Sequence, residues 1–190
     1  MSKNVLVIFT YILVFTTMTI ILSYVFVFDT NVHRRLTNGR ILRLERLSRQ
    51  NPHDTRHTYQ LLKMAQSRSY FQACRATSAL GRIGKAALPI MSDICKLMDS
   101  NNLCVSQEAA KSIGRLGSLS APVVPQLINR IKADPKDATT WFAIIALGEI
   151  GEPAKESIDT IRELEGKEPS MFRGTVARVI RQIDDAGSDR

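Results

Sequence analysis

A six-residue phrase occurs three times in this chain. Residues 79–84 read ALGRIG, 112–117 SIGRLG and 146–151 ALGEIG, placing Gly81, Gly114 and Gly148 33 and 34 residues apart. A period of that length is the mark of stacked helical repeats, because one helical hairpin cannot bury its own apolar face and needs a neighbour. The second glycines, Gly84, Gly117 and Gly151, keep the same spacing. The phrases follow helical rather than strand patterns, so glycine here ends a helix and admits close helix approach instead of cradling a phosphate.

Alignment on the glycines extends the repeat. Small residues, Ala76 and Ala79, Ala109 and Ala110, Ala143 and Ala146, precede each phrase where a first helix must approach its neighbour. A second amphipathic helix is predicted after each phrase. It covers 87–98 (Leu88, Met91, Ile94, Cys95, Met98), 121–131 (Val124, Leu127, Ile128, Ile131) and 154–164 (Ile158, Ile161, Leu164). Pro122 and Pro153 open the latter two, where a missing N–H costs nothing. A fourth first helix is expected over 170–183, with Phe172, Val176, Val179, Ile180 and Ile183 on its apolar face and Arg181 and Asp184 in place of the glycines. Such a polar last unit suits a terminal cap. Asp54 or Thr55 can cap a short helix reaching about Gln66, with Leu61, Leu62 and Met64 inward, to close the other end. The predicted fold is all-α: a short α-solenoid over residues 54–183, followed by a flexible acidic tail at 184–190.

A different segment leads into this domain. After a four-residue tail, residues 5–28, from Val5 to Phe28, contain no charge. Twenty-four helical residues are long enough to cross a hydrocarbon core roughly 30 Å thick, with Tyr11 and Tyr24 toward the interfaces, so a transmembrane helix is expected. The run is too long for the apolar region of a cleaved signal peptide and lacks its small-residue cleavage site. Only Lys3 precedes it, whereas Arg34, Arg35, Arg40, Arg43 and Arg46 follow closely, so the positive-inside rule predicts a single-pass protein, N-terminus out, with the repeat domain cytoplasmic. Residues 29–53 form a basic connector. In it Ile41, Leu44 and Leu47 recur at helical spacing beside the row Arg40, Arg43, Arg46 and Arg49. That helix can lie on an anionic membrane surface, or it can pack Leu36, Leu44 and Leu47 on the first repeat. Asn38-Gly39 is a predicted break before it.

Charge distribution narrows the function. Residues 29–78 hold ten Lys or Arg against three Asp or Glu, while residues 79–190 hold fifteen of each. The net +8 therefore sits ahead of a neutral repeat region, which argues against a nucleic-acid cleft there. Cys74, Cys95 and Cys104 are odd in number with no CxxC spacing, which reads as buried free thiols and slightly favours a reducing compartment. His53 and His57 are four apart, but the remaining histidine is His33 and no third ligand stands at fixed spacing, so neither metal nor any other cofactor is expected. No Walker loop or nucleophile elbow is present, and Glu163 with Glu165 or Asp184 with Asp185 read as solvated pairs.

The three phrases, with the small residues before them and the proline or alanine after, resemble the HEAT-like repeat family. The match is to the short repeat of phycobilisome lyases, whose units read approximately VRxxAAxALGxIG. The resemblance covers about residues 69–183 and departs at the family's arginine, present only as Arg173, where the other units have Ala73, Ser106 and Thr140. It implies a right-handed solenoid of about three and a half units. It also implies work as adaptor, scaffold, chaperone or, in a few members, enzyme. The His-Glu pairs of its di-iron hydroxylases are absent here, as no histidine follows His57. The neutral stack offers neither the cationic cradle of a bilin lyase nor the basic concave face of a glycosylase.

The expected function is accordingly non-catalytic binding of a protein partner on the concave surface lined by second helices. Asp93, Lys96, Gln126, Arg130, Lys155 and Arg162 are candidate contacts. Trp141 is either a large core residue or an exposed anchor. The alternative is binding of anionic lipid or nucleic acid by Arg34, Arg35, Arg40, Arg43, Arg46 and Arg49, with the repeats as spacer. A third is lyase- or chaperone-type action on a cofactor-bearing partner.

Overall fold

The computed structural model describes the backbone of residues 3–188 and the side chains of residues 15–20, 23, 32 and 34–187. Every regular element among them is helical. The chain divides into two units, Met1–Gly39 and Arg40–Arg190.

Helix α1 runs Lys3–Gln50, and residues 3–39 of it make up the first unit. Asn38-Gly39 does not interrupt it: an exposed helical glycine costs only about 1 kcal/mol, too little to force a break. Among the described residues no helix is long and apolar enough to cross a membrane, which overturns the transmembrane segment expected at Val5 to Phe28, and the single-pass, cytoplasm-facing placement with it. The side chains described in that stretch are Phe15, Thr16, Thr17, Met18, Thr19, Ile20 and Ser23, and four of these carry hydroxyls. Thr19 and Ser23 turn theirs back to the carbonyls of Thr16 and Ile20 at 2.8 and 2.7 Å. The side chains of Tyr11 and Tyr24, expected at the interfaces, lie outside the described residues.

In the second unit the last turns of α1 pack on the repeats. Ile41, Leu44 and Ser48 are buried, and Glu45 receives a two-pronged ion pair from Arg82 Nε and Nη2 at 3.0 and 2.8 Å. Leu36 stays exposed and Leu47 is half-buried, so only part of the predicted apolar row is used. Helix α2, Thr55–Ala65, follows; Asp54 caps it by accepting from the Arg56 backbone N–H, and Leu61, Leu62 and Met64 face inward as expected.

The first helices of the repeats are α3 (Tyr70–Leu80), α5 (Leu103–Arg115) and α7 (Ala138–Ile150), and the terminal one is α9 (Thr175–Ser188). They pack in succession, α3 on α5, α5 on α7 and α7 on α9. Ser69, Asn102 and Asp137 cap the first three, each accepting from backbone N–H groups of the opening turn. Their position eleven or twelve residues ahead of the first glycine is part of the repeat, since each first helix must start at the same height in the stack. Helix α9 begins after Gly174 at φ +75° and continues to Ser188, so the tail expected to be flexible from residue 184 is mostly helix. A Cβ added at Gly151 would stand 3.2 Å from Ala186 Cβ, so this last stretch of α9 lies close to the third phrase.

The second helices are less regular than predicted. Each opens as a 3-10 segment (Gly84–Ile90, Gly117–Val123 or Glu152–Ser157) before the α-helical α4 (Met91–Lys96), α6 (Val124–Ala133) or α8 (Ile158–Arg162). Pro89, Pro122 and Pro153 fall within these openings, where a 3-10 turn accommodates the missing donor.

The two glycines of each phrase do different work. A Cβ on Gly81 would come within 2.7 Å of Ser112 Cα; one on Gly148 would stand 3.2 Å from Val179 Cγ2; and one on Gly114 would strike the Glu149 carboxylate, with Ala146 Cα 3.2 Å away. The first glycine thus seats the next repeat's first helix. The second adopts φ of +60° at Gly84 and +76° at Gly151, a left-handed turn that a side chain would strain.

Candidate partner-binding groove

The second helices set out a row of polar side chains, and the structure brings part of the predicted set together. Lys96 at the end of α4 and Gln126 and Arg130 on α6 line one groove of about 110 Å³ with Cys95, Met98 and Asp99. Gln126 Nε2 reaches Ser92 Oγ of the preceding repeat at 3.4 Å. Asp93 pairs with Lys96 at 2.9 Å on the same helix face. Lys155 and Arg162 are exposed on the third repeat and do not line this groove; Arg162 pairs with Asp159 at 3.1 Å.

Arg130 is the hub of the site. It donates from Nη1 to Asp99 and from Nη2 to Asp137, so one guanidinium ties the end of the first repeat's second helix to the cap of α7. A planar fork with two charged acceptors is fixed in direction. Arg130 is therefore first a clamp between repeats and only secondarily a surface cation. Asp99 and Asp137 were not among the residues expected here. The signal for Asp137 was its position before a helix; Asp99 gave none, because its role depends on a partner 31 residues away.

Cys95 forms the floor, buried and free. Burial, with Asp99 nearby, pushes its thiol up to about 11, so it stays protonated at neutral pH. The other two cysteines depart from the free-thiol reading: Cys74 and Cys104 are joined as a disulfide between α3 and α5, Cα atoms 5.6 Å apart. Thirty residues of separation hid a contact that stacking creates, and the argument for a reducing compartment falls with it.

Trp141 is a core residue, 1% exposed. Its ring stacks on Phe172 at 5.8 Å, Phe142 meets Phe172 edge-on at 5.5 Å, and Lys111 Nζ sits 5.0 Å from the Phe142 centroid. The anchor reading of Trp141 is thereby corrected, since a ring enclosed by α7 and the segment before α9 has no face left for a partner.

The arginines of the connector separate. Arg34 and Arg35 belong to the first unit and are exposed. Arg40, Arg43, Arg46 and Arg49 are exposed on the repeat unit, with Arg46 and Arg49 flanking a groove shared with Leu42 and Glu45. His57 Nδ1 lies 3.8 Å from Asp54, while His53 is exposed. Among the described residues no group of three His, Cys, Asp or Glu side chains is placed to hold a metal ion. No family model, curated protein or solved structure matches the chain.

Proposed function

We propose that the repeat unit is a non-catalytic scaffold of HEAT-like type that holds a protein partner along the second helices. One observation supports the reading above others: Lys96, Gln126 and Arg130, from two successive repeats, line one groove. A partner laid there would contact both repeats at once and read their spacing, which is what a stacked repeat offers that a single hairpin cannot. The groove is small and open, with polar side chains at its edge, and its thiol is held protonated, features suited to surface recognition and not to enclosing a substrate.

The reading is tested with a photo-crosslinking residue placed in the full chain at Gln126, and separately at Arg178 on the exposed side of α9. A partner captured from Gln126 but not from Arg178, and lost on Lys96→Glu, fits the scaffold reading. Equal capture from both positions, or capture indifferent to Lys96→Glu, rejects it. Arg130 is unsuitable for the reversal, because a glutamate between Asp99 and Asp137 would set three carboxylates together and open the stack.

A further inference from the structure

A second groove lies at the α2 end of the stack, where three elements converge. Arg40 comes from the last turns of α1, Lys63 from α2 and Arg68 from the α2–α3 loop, around a volume of about 650 Å³. Among the described residues none of these three cations has a carboxylate partner. Unlike the Arg130 groove, this lining holds no carboxylate at all. The rest of the wall is rich in neutral donors: Gln60, Gln66 and Gln72 present amides and Ser67 a hydroxyl.

Three cations from separate elements around one groove, with no carboxylate among the lining residues, favour an anionic occupant, and one of more than one negative charge above a singly charged one. A carboxylate brings one. A phosphate monoester brings nearly two, with three terminal oxygens for the fork of Arg40 or Arg68, the point charge of Lys63 and the amide and hydroxyl donors between them. The volume exceeds that of a phosphate alone and leaves room for the group that carries it.

We propose that Arg40, Lys63 and Arg68 form a binding site for a phosphate monoester, carried either by a small molecule or by a phosphorylated side chain. This site is separate from the Arg130 groove, and its failure leaves the scaffold reading standing.

The test uses the full chain and two probes: glycerol 2-phosphate by calorimetry, and a fluorescent Gly/Ser peptide bearing one phosphoserine, with its unphosphorylated twin, by anisotropy. Saturable binding of glycerol 2-phosphate assigns a small-molecule source. Binding of the phosphopeptide alone, without its twin, assigns a protein source, and either result supports the site. Each of Arg40→Gln, Lys63→Gln and Arg68→Gln should weaken the bound probe about tenfold, the worth of one charge-assisted hydrogen bond. All three side chains are exposed, so melting curves should overlay the parent and exclude a folding defect. Arg49→Gln, outside the groove, should leave affinity unchanged. Binding of neither probe overturns the proposal, as does an Arg49→Gln loss equal to that of the three groove variants, which would mean diffuse attraction to a basic surface.

Discussion

Gly81→Ala tests the packing argument at its sharpest point. The added methyl carbon would lie 2.7 Å from Ser112 Cα and 2.8 Å from its Cβ and Oγ, against about 3.5–4.0 Å for comfortable carbon contact. One obstacle is backbone, so no rotamer change relieves it, and α3 and α5 must separate by about 1 Å. Overpacking of this kind costs about 1–3 kcal/mol. The same movement stretches the bond from Ser112 Oγ to the Thr77 carbonyl, now 2.8 Å. Gly81 sits at φ −70° and ψ −11°, right-handed geometry in which alanine is favoured by about 0.5–1 kcal/mol, which offsets part of the loss. The net expectation is a destabilisation of about 1–2 kcal/mol, lowering the melting temperature by about 3–8 °C for a unit of this size. Urea unfolding followed by helical circular dichroism measures it, with Gly39→Ala as the control. No heavy atom lies within 4 Å of a Cβ there, so that variant should be stabilised by about 0.5–1 kcal/mol. If Gly81→Ala proved as stable as the parent, the first glycine of the phrase would not be the seat of the neighbouring helix.

Three further outcomes are expected. Trp141→Ala removes the largest fully buried side chain and its stack on Phe172, and should cost about 3–5 kcal/mol in urea unfolding, with loss of the near-ultraviolet dichroism of the tryptophan. Arg82→Met strands the buried Glu45 carboxylate. Because Arg82 is itself 40% exposed the loss should be about 1–2 kcal/mol, and Glu45→Gln in the same chain should recover much of it. Thiol counting on unfolded, unreduced protein should find one alkylated cysteine, Cys95, rising to three after reduction. In the folded protein Cys95 should resist alkylation at pH 8, since its thiolate forms only as pH approaches about 11.

The repeat architecture is carried by local pattern and was accordingly open to sequence reading. The small residues at Ala76, Ala109 and Ala143, the inward Leu61, Leu62 and Met64 and the cap at Asp54 all stand where the pattern placed them. The second helices were misread in detail, because the apolar spacing that marks them is nearly the same for a 3-10 turn leading into an α-helix as for one α-helix throughout. The groove was legible in part. Lys96, Gln126 and Arg130 converge, but their convergence depends on the offset between repeats, which no single repeat encodes.

By itself the sequence determined the period, the all-helical class and most of the residues that face inward, since these follow from spacing along one chain and from the size of a side chain. Leu88, expected on an apolar face, is exposed instead. Tertiary structure alone decided the rest. It divided the paired glycines into a seat for the next helix and a left-handed turn, joined Cys74 to Cys104, enclosed Trp141 and turned Arg130 from a surface cation into a clamp. Each of these rests on what lies beside a residue after stacking, about thirty positions away in the chain, and on how closely two backbones can approach, neither of which a local pattern can specify.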